Sequence, residues 1–213
     1  PHVGASTTEA QMRIAESIAN QTPRALRGEV VEYPVNMPSV QVLGSGPVAS
    51  YASLAEKLGV FSSQYISFTP THLEIKYRGK LAKQDGTLLR LCFLKGLLQS
   101  HKNFVSYVNA DQQAENVGLH IEETEDPGFT DYESALKCTF TGAGKEFAIG
   151  GVVFSGPHPR ITLINSFVCE FEAEGTILAT TNQDRPGMVG ILGTCLGKNG
   201  VNIDQFQLAR NTR

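Results

Sequence analysis

The alternation of apolar and polar residues between positions 72 and 164 constrains the fold more than any other feature of this sequence. A period of two is typical of half-buried β-strands, and turn residues divide this stretch into short segments. In residues 72–78, the alternation would place Leu73, Ile75 and Tyr77 on one face. We predict further strands over residues 64–68, 105–108, 118–124, 134–141, 146–154 and 160–164.

Segments with helical periodicity lie before and between these strands. Apolar side chains recur every three or four positions in residues 50–61. They do so more strongly in residues 87–100, where Lys95 stands inside the apolar stripe. A short helix is predicted over residues 111–116. Because helices and strands share one continuous stretch, we predict a single α+β domain with a mixed sheet over residues 48–174.

Two breaks separate this domain from the ends of the chain. Residues 28–47 are rich in Gly and Pro and predict a short strand followed by a linker. Before them, Ser6 and Glu9 have the spacing of a capping box, so we predict a helix that begins there and ends near Asn20, before Pro23. The second break is a hinge at Gly175.

The segment after Gly175 has the order strand, helix, strand. We predict a strand over residues 176–181, a helix over 187–198 and a strand over 201–208. This is half of a split βαββαβ, ferredoxin-like unit. We therefore expect residues 175–213 to be a partial domain that needs a partner surface or further chain for stability.

Charge and composition exclude several classes of partner. The net charge of −3 gives no reason to propose nucleic acid or an anionic membrane. No apolar run approaches the roughly 20 residues that cross a bilayer, and the first residues lack the features of a secretion signal. The four cysteines are scattered without a CxxC pair, so we expect reduced thiols, no metal site, and a cytoplasmic or organelle-matrix (stromal) location.

The glycines from Gly187 to Gly197 raise the question of a phosphate loop. They recur at helical spacing and match neither common phosphate-binding pattern, so Gly193 and Gly197 are interpreted as sites of close helix packing. Gly187 instead stands at the strand-to-helix turn, where free amides would suit a carboxylate. With Asp184 to take an ammonium group and Asn202 in a second loop, the pattern favours an α-amino acid as ligand.

The same stretch resembles the ACT domain, a ligand-sensing module of amino-acid metabolism. The similarity lies in the run Asp-Arg-Pro-Gly at 184–187, the apolar helix at 188–196 and Gly-Val-Asn-Ile at 200–203. The resemblance implies an effector held between two copies of the domain, hence a homo-oligomer that associates through the ACT and intervening domains. It assigns effector binding to Asn182, Asp184, Gly187 and Asn202.

The first residues, PHVGASTTEAQ, resemble the end of the catalytic region in D-2-hydroxyacid dehydrogenases, and more narrowly the D-3-phosphoglycerate dehydrogenase family. The resemblance implies that His2 is the catalytic acid/base and that Gly4 lies near the NAD cofactor. It also implies 3-phosphoglycerate as substrate, oxidised to 3-phosphohydroxypyruvate in L-serine biosynthesis, and L-serine as effector. The nicotinamide-binding domain would lie outside this chain, which alone would then be inactive.

The middle of the chain resembles the intervening domain of the long form of that family, through segments such as LEIKYRGKLA and GGVVFSGPHPRITLIN. This implies an anion site at Arg160, although Val168 and Glu172 stand where further basic and imidazole residues are expected. The cations Lys76, Arg78 and Lys80 are interpreted as a solvated strand face in preference to a second anion site.

These expectations divide the chain into four parts. They are the end of a catalytic region (1–27), a strand and linker (28–47), the intervening domain (48–174) and a truncated ACT domain (175–213). We expect a fragment, because the chain opens in mid-motif without Met and stops after a strand-like run. Two alternatives remain: the regulatory domains of an iron–sulfur L-serine dehydratase, and a non-catalytic amino-acid sensor.

Overall fold

The computed structural model describes residues 4–26, 31, 47–100, 104–128, 132–154 and 158–209. The helices are α1 Thr8–Leu26, α2 Pro47–Tyr65, α3 Thr87–Leu98, α4 Ala110–Asn116 and α5 Met188–Lys198. The strands are β1 His72–Gly79, β2 His120–Asp126, β3 Ser134–Gly142, β4 Lys145–Phe154, β5 His158–Ile164 and β6 Phe167–Glu172. A short 3-10 helix, Lys80–Lys83, follows β1.

The six strands form one mixed sheet in the order β2-β1-β3-β4-β5-β6. Only the β1–β2 pair is parallel, because the chain crosses from one to the other through α3 and α4. The remaining pairs are antiparallel. The β3–β4 turn is tight, and its residues Ala143 and Gly144 have φ of 50° and 70°, as a two-residue hairpin requires. The predicted α+β architecture with a mixed sheet is confirmed.

The core lies between the sheet and the α2–α3 pair. Strand alternation turns one face of β1 inward, and Leu73, Ile75 and Tyr77 are at most 3% exposed, as predicted. Leu54 of α2 and Phe93 of α3 are fully buried opposite this face. Nine of the twelve residues of α3 are buried, so α3 is the central helix of the layer.

The two helices cross at glycines. A Cβ at Gly59 would stand 2.1 Å from the carbonyl oxygen of Phe93, and one at Gly96 would stand 2.1 Å from that of Glu56. Real Cβ atoms do not approach a backbone oxygen so closely. The backbones of α2 and α3 therefore touch at this crossing, which only glycine permits at both positions.

Several predicted boundaries are wrong. The strand predicted over residues 64–68 is absent, because α2 continues through Tyr65, whose ring stacks on Phe61 one turn earlier. Residues 105–108 do not form a strand: the chain turns at residues 107–109, and the Asn109 side chain accepts a hydrogen bond from the Ser106 amide at 2.8 Å. The sequence patterns also missed β6.

The first helix differs from its prediction at both ends. It begins one residue later, because Thr7 and not Ser6 caps it: the Thr7 hydroxyl accepts a hydrogen bond from the Ala10 amide at 3.2 Å. It also runs through Pro23 to Leu26. The segment is exposed, so water can satisfy the carbonyl that Pro23 leaves without a donor. The strand predicted within 28–47 falls outside the described residues, apart from Val31 and Pro47.

The segment after Gly175 contains α5 but neither predicted strand. Residues 176–181 and 201–208 have no ladder partner among the described residues, and a strand needs a hydrogen-bonded neighbour. No residue of α5 is buried. The predicted close packing at Gly193 and Gly197 is wrong for the described residues, since a Cβ at either would meet no atom within 4 Å. No helix in the described part of the chain has both the length and the apolar character to cross a bilayer.

Candidate effector site and neighbouring polar clusters

The turn that opens α5 and the residues just before it include three of the four residues predicted to bind an effector. Gly187 is the N-cap and has φ 90°, a left-handed conformation that a side chain would strain. The Met188 amide bonds to the Arg185 carbonyl and the Ile191 amide to that of Gly187. The amides of Val189 and Gly190 have no acceptor within the helix, as in every first turn, and can be offered to an anion.

Asn182 and Asp184 are exposed beside this turn, but Asn202 lies at the other end of α5. The helix has 11 residues and is therefore about 16 Å long. At its end, Gly200 has φ 71° and the chain reverses, with the Val201 amide bonded to the Leu196 carbonyl. One copy of the chain thus brings Asn182, Asp184 and Gly187 together and leaves Asn202 apart from them.

A shallow groove runs along α5 from this turn. Its lining contains neither Asn182 nor Asp184, so it continues from the predicted site without coinciding with it. The lining residues are Gly187, Gly190, Ile191, Thr194, Cys195, Lys198 and Asn199. Cys195 is the exposed thiol, whereas Cys92, Cys138 and Cys169 are buried.

Arg160, the predicted anion-binding residue, stands on β5 directly across from Glu172 of β6. Its Nη2 lies 3.0 Å from a Glu172 carboxylate oxygen, and its buried Nε has no hydrogen-bond partner in the described part of the chain. Val168 on the same strand as Glu172 is 62% exposed. The guanidinium therefore already has an intramolecular carboxylate partner.

The cations of β1 and the turn after it are also ion-paired. Lys76 lies 3.0 Å from Glu74 and Arg78 lies 3.0 Å from Asp126, while Lys80 pairs with Glu133. Hydrogen bonds from the Gly128 amide and from Arg78 hold the pKa of Asp126 below its ordinary value. This arrangement agrees with a solvated, charge-balanced strand face.

The residues predicted to belong to a catalytic region are only partly described. His2 lies outside the described residues. Gly4 is in an exposed turn with open space around it, and the following residue, Ala5, has φ 62°. The Gln11 side-chain amide donates to the Ala5 carbonyl at 3.2 Å and fixes this turn on α1. The predicted position of Gly4 beside an NAD cofactor stays a prediction.

A polar cluster between α2 and α3 was not predicted. Lys95 lies 3.0 Å from Glu56 and donates to the Tyr107 hydroxyl at 3.2 Å, and that hydroxyl donates to Glu56 at 3.0 Å. Burial alone would lower the pKa of Lys95, but the hydrogen bonds to Glu56 and Tyr107 outweigh it, and the pKa is raised. The signal in the sequence was the position of Lys95 inside an apolar stripe.

The cluster borders a cleft of about 390 Å³ whose floor includes Cys92. Burial raises the pKa of the Cys92 thiol to about 12, so it is not a nucleophile at neutral pH. Burial, with the charge of Glu56, also raises the pKa of Tyr107. Both groups are therefore protonated, and the cluster is a structural ion pair with a hydroxyl bridge.

A second cluster, also not predicted, fixes the parallel edge strand. Arg90 of α3 forms two hydrogen bonds of 3.0 Å to Asp111 of α4 and also pairs with Glu123 of β2. Tyr77 of β1 donates to the same Glu123 at 2.6 Å, and burial followed by this bond raises the Tyr77 pKa. The cluster joins four elements. None of the described His, Cys, Asp and Glu side chains forms a group of three suited to a metal ion.

Comparison with known proteins agrees with this architecture. The family model described as the D-3-phosphoglycerate dehydrogenase intervening domain matches residues 47–165, more than half of the chain. This range holds α2, α3, α4 and the sheet through β5.

Relatives named D-3-phosphoglycerate dehydrogenase extend the similarity over nearly the whole chain. Those of Methanocaldococcus jannaschii, Synechocystis sp. and Mycobacterium tuberculosis are 34%, 33% and 34% identical over 99% of it. The chain spans 40%, 38% and 40% of the length of these relatives. The chain therefore belongs to the D-3-phosphoglycerate dehydrogenase family, whose intervening domain it contains.

Proposed function

We propose that this chain is the regulatory C-terminal part of an NAD-dependent enzyme that oxidises 3-phosphoglycerate in L-serine biosynthesis, and that L-serine is its effector. One observation carries the proposal: a matched intervening domain is followed by an exposed helix whose first turn has a glycine N-cap. The named relatives support the enzyme class.

The chemistry of the turn supports an α-amino acid as ligand. The amides of Val189 and Gly190, at the positive end of the α5 dipole, would bind the carboxylate. The exposed Asp184 carboxylate would bind the ammonium group, and Asn182 would bind further polar atoms. No group here is placed to cut or oxidise such a ligand, so binding would be its only outcome.

The position of Asn202 supports a site shared between two copies. Because it lies about 16 Å of helix away from Gly187, a second copy placed antiparallel would bring its Asn202 to the Gly187 turn. The proposed protein is therefore a homo-oligomer through the α5 region. Effector binding at such an interface would favour one subunit arrangement, with a coupling free energy typically about 1–3 kcal/mol.

Calorimetry tests the effector site. Titration of L-serine into the protein is expected to give saturable heat that Asn202→Ala removes, because that amide would close the site. Gln183→Ala is the matched control, since Gln183 is exposed between Asn182 and Asp184 and has no proposed role. Absence of heat with L-serine, or unchanged heat in Asn202→Ala, defeats the proposal.

The catalytic part of the proposal assigns His2 as the acid/base that takes the proton from the substrate hydroxyl. An imidazole suits this step because its pKa lies near neutral pH. NAD would be bound by a domain outside the described residues. The free thiols of all four cysteines support a reducing compartment, the cytoplasm or an organelle matrix.

Kinetics of the enzyme test the assignment of His2. His2→Ala is expected to lower kcat by about 10²- to 10⁴-fold, the usual contribution of a positioned acid/base. The affinity for L-serine should stay within a few-fold. His120→Ala, an exposed histidine on β2, serves as the control. A near-normal kcat in His2→Ala removes this residue from the mechanism.

A further inference from the structure

The outer edge of β6 carries a side-chain contact from the end of the chain. Among the described residues, β6 pairs only with β5, so its other edge presents backbone groups that have no ladder partner in that part of the chain. The Glu170 amide on this strand donates to the side-chain oxygen of Gln207 at 3.0 Å. Two residues later, Ala209 is partly buried against the core.

The chain leaves the sheet at the end of β6, just before Gly175. The Ala173 amide bonds to the Pro159 carbonyl at 3.3 Å, and Ala173 is 7% exposed. The Glu174 carboxylate lies 2.9 Å from the ammonium group of Lys57 on α2. Gly175 follows with φ 68°, and a Cβ at this position would meet no atom within 4 Å. The last fixed residue before the hinge is therefore Glu174.

Between these two attachments, no residue of 176–206 is buried. These residues are here called the C-terminal lobe. Because Lys57 and Glu174 both precede Gly175, their ion pair fixes where the hinge begins but does not restrict the lobe beyond it. The hydrogen bond at Gln207 and the packing of Ala209 against the core tie the far end of the lobe to the sheet domain.

We propose that Gln207 is a latch that holds the C-terminal lobe in one arrangement about Gly175 by bonding to the free edge of β6. Release of this side chain, together with the adjacent packing of Ala209, would let the lobe turn about the hinge, while the sheet keeps its own hydrogen bonds. The latch also covers an edge amide that would otherwise be open to another strand. Its regulatory consequence rests on the proposed function: effector binding in the lobe would shift the latch equilibrium.

Amide hydrogen exchange, followed residue by residue by NMR in the full 213-residue chain, tests the latch. A side chain–backbone hydrogen bond shifts an equilibrium by roughly 2- to 12-fold, so Gln207→Ala should speed exchange at Glu170 by about that factor. Gln205→Ala, an exposed neighbour in the same segment, should leave Glu170 unchanged. The Ala173 amide should be unchanged in both variants. Equal exchange at Glu170 in the native chain and in Gln207→Ala overturns the latch.

A second arm with L-serine separates failure of the latch from failure of the proposed function. In the native chain, L-serine is expected to change exchange at Glu170, and Gln207→Ala should abolish that response. Serine heat in calorimetry with no change at Glu170 overturns the coupling. Absence of heat defeats the proposed effector, and the variant pair alone then decides whether the latch exists.

Discussion

Two helical regions of this chain carry glycines, yet the glycines have opposite surroundings. At the α2–α3 crossing, Gly59 and Gly96 let two backbones touch, and a Cβ at either would stand 2.1 Å from a carbonyl oxygen. On α5, a Cβ at Gly193 or Gly197 would meet nothing within 4 Å. The difference shows that glycine allows a helix to pack closely, while the burial of the neighbouring residues shows whether it does so within the chain.

The two regions also differ in whether their charged and apolar side chains find partners within the chain. In the sheet domain, Lys95, Arg90 and Arg160 each have a carboxylate partner in the same chain. In the C-terminal lobe, α5 has no buried residue, and the apolar side chains of Ile191 and Leu178 are 63% and 65% exposed. These three cations of the sheet domain are paired within the chain, whereas the lobe presents both amides and apolar surface to an outside partner.

The largest expected effect comes from placing the same small change in both regions. Gly59→Ala should lower the free energy of unfolding by about 3 kcal/mol or more, because backbone atoms at the crossing cannot move aside as side chains do. Gly193→Ala should instead leave stability unchanged or raise it by about 0.5–1 kcal/mol, since Ala favours the helix. Denaturant unfolding followed by circular dichroism measures both. Equal stability of the two variants would erase the proposed difference between the regions.

The inner face of β1 could be predicted from sequence, because strand alternation and burial coincide there. The β6 strand could not, because its turn depends on a tertiary contact. Asn165 has φ 53°, and its side chain accepts a hydrogen bond from the Ala148 amide on β4 at 3.1 Å. Similarly, Tyr65 belongs to α2 because its ring also packs on Phe147 of β4, at 5.3 Å between centroids. Local patterns contain no information on such distant partners.

The candidate site was predictable to the extent that its residues are neighbours in sequence. Asn182, Asp184 and Gly187 fall on one turn because they precede one helix. Asn202 could be assigned to the site only through resemblance to a family, since α5 separates it from the turn. The Glu56–Lys95–Tyr107 cluster was missed because its members come from three distant segments, although a lysine within an apolar stripe was a visible sign.

A smaller effect is expected at Lys95. Lys95→Met should lower the free energy of unfolding at pH 7 by about 1–2 kcal/mol, since it leaves Glu56 half-buried without its cation. The folded-state pKa of Lys95 is raised, so its contribution is present below the ordinary lysine pKa of about 10.4 and is lost as the pH rises through the raised value. The difference between native chain and variant should therefore shrink in strong alkali.

Unfolding curves at pH 7 and at several alkaline pH values measure this dependence. Lys198→Met, in the last turn of the exposed α5, is the control and should change stability by no more than about 0.5 kcal/mol. If Lys95→Met changed the free energy of unfolding as little as Lys198→Met, the stability of the sheet domain would not depend on this internal ion pair. The proposed difference between the two regions in their charged groups would then be wrong.

The smallest effect is expected at Arg160, because Glu172 pairs with its guanidinium and an anionic ligand could otherwise bind there. Glu172→Gln removes the carboxylate 3.0 Å from Arg160 and should raise the affinity for inorganic phosphate by a few-fold, since an exposed ion pair contributes only about 0.2–1 kcal/mol. Glu170→Gln on the same strand is the control, because Arg160 is directly opposite Glu172. NMR titration with phosphate measures both. An Arg160 that binds phosphate equally well in the native chain would mean that Glu172 does not compete, and that this part of the sheet, like the lobe, is open to an outside partner.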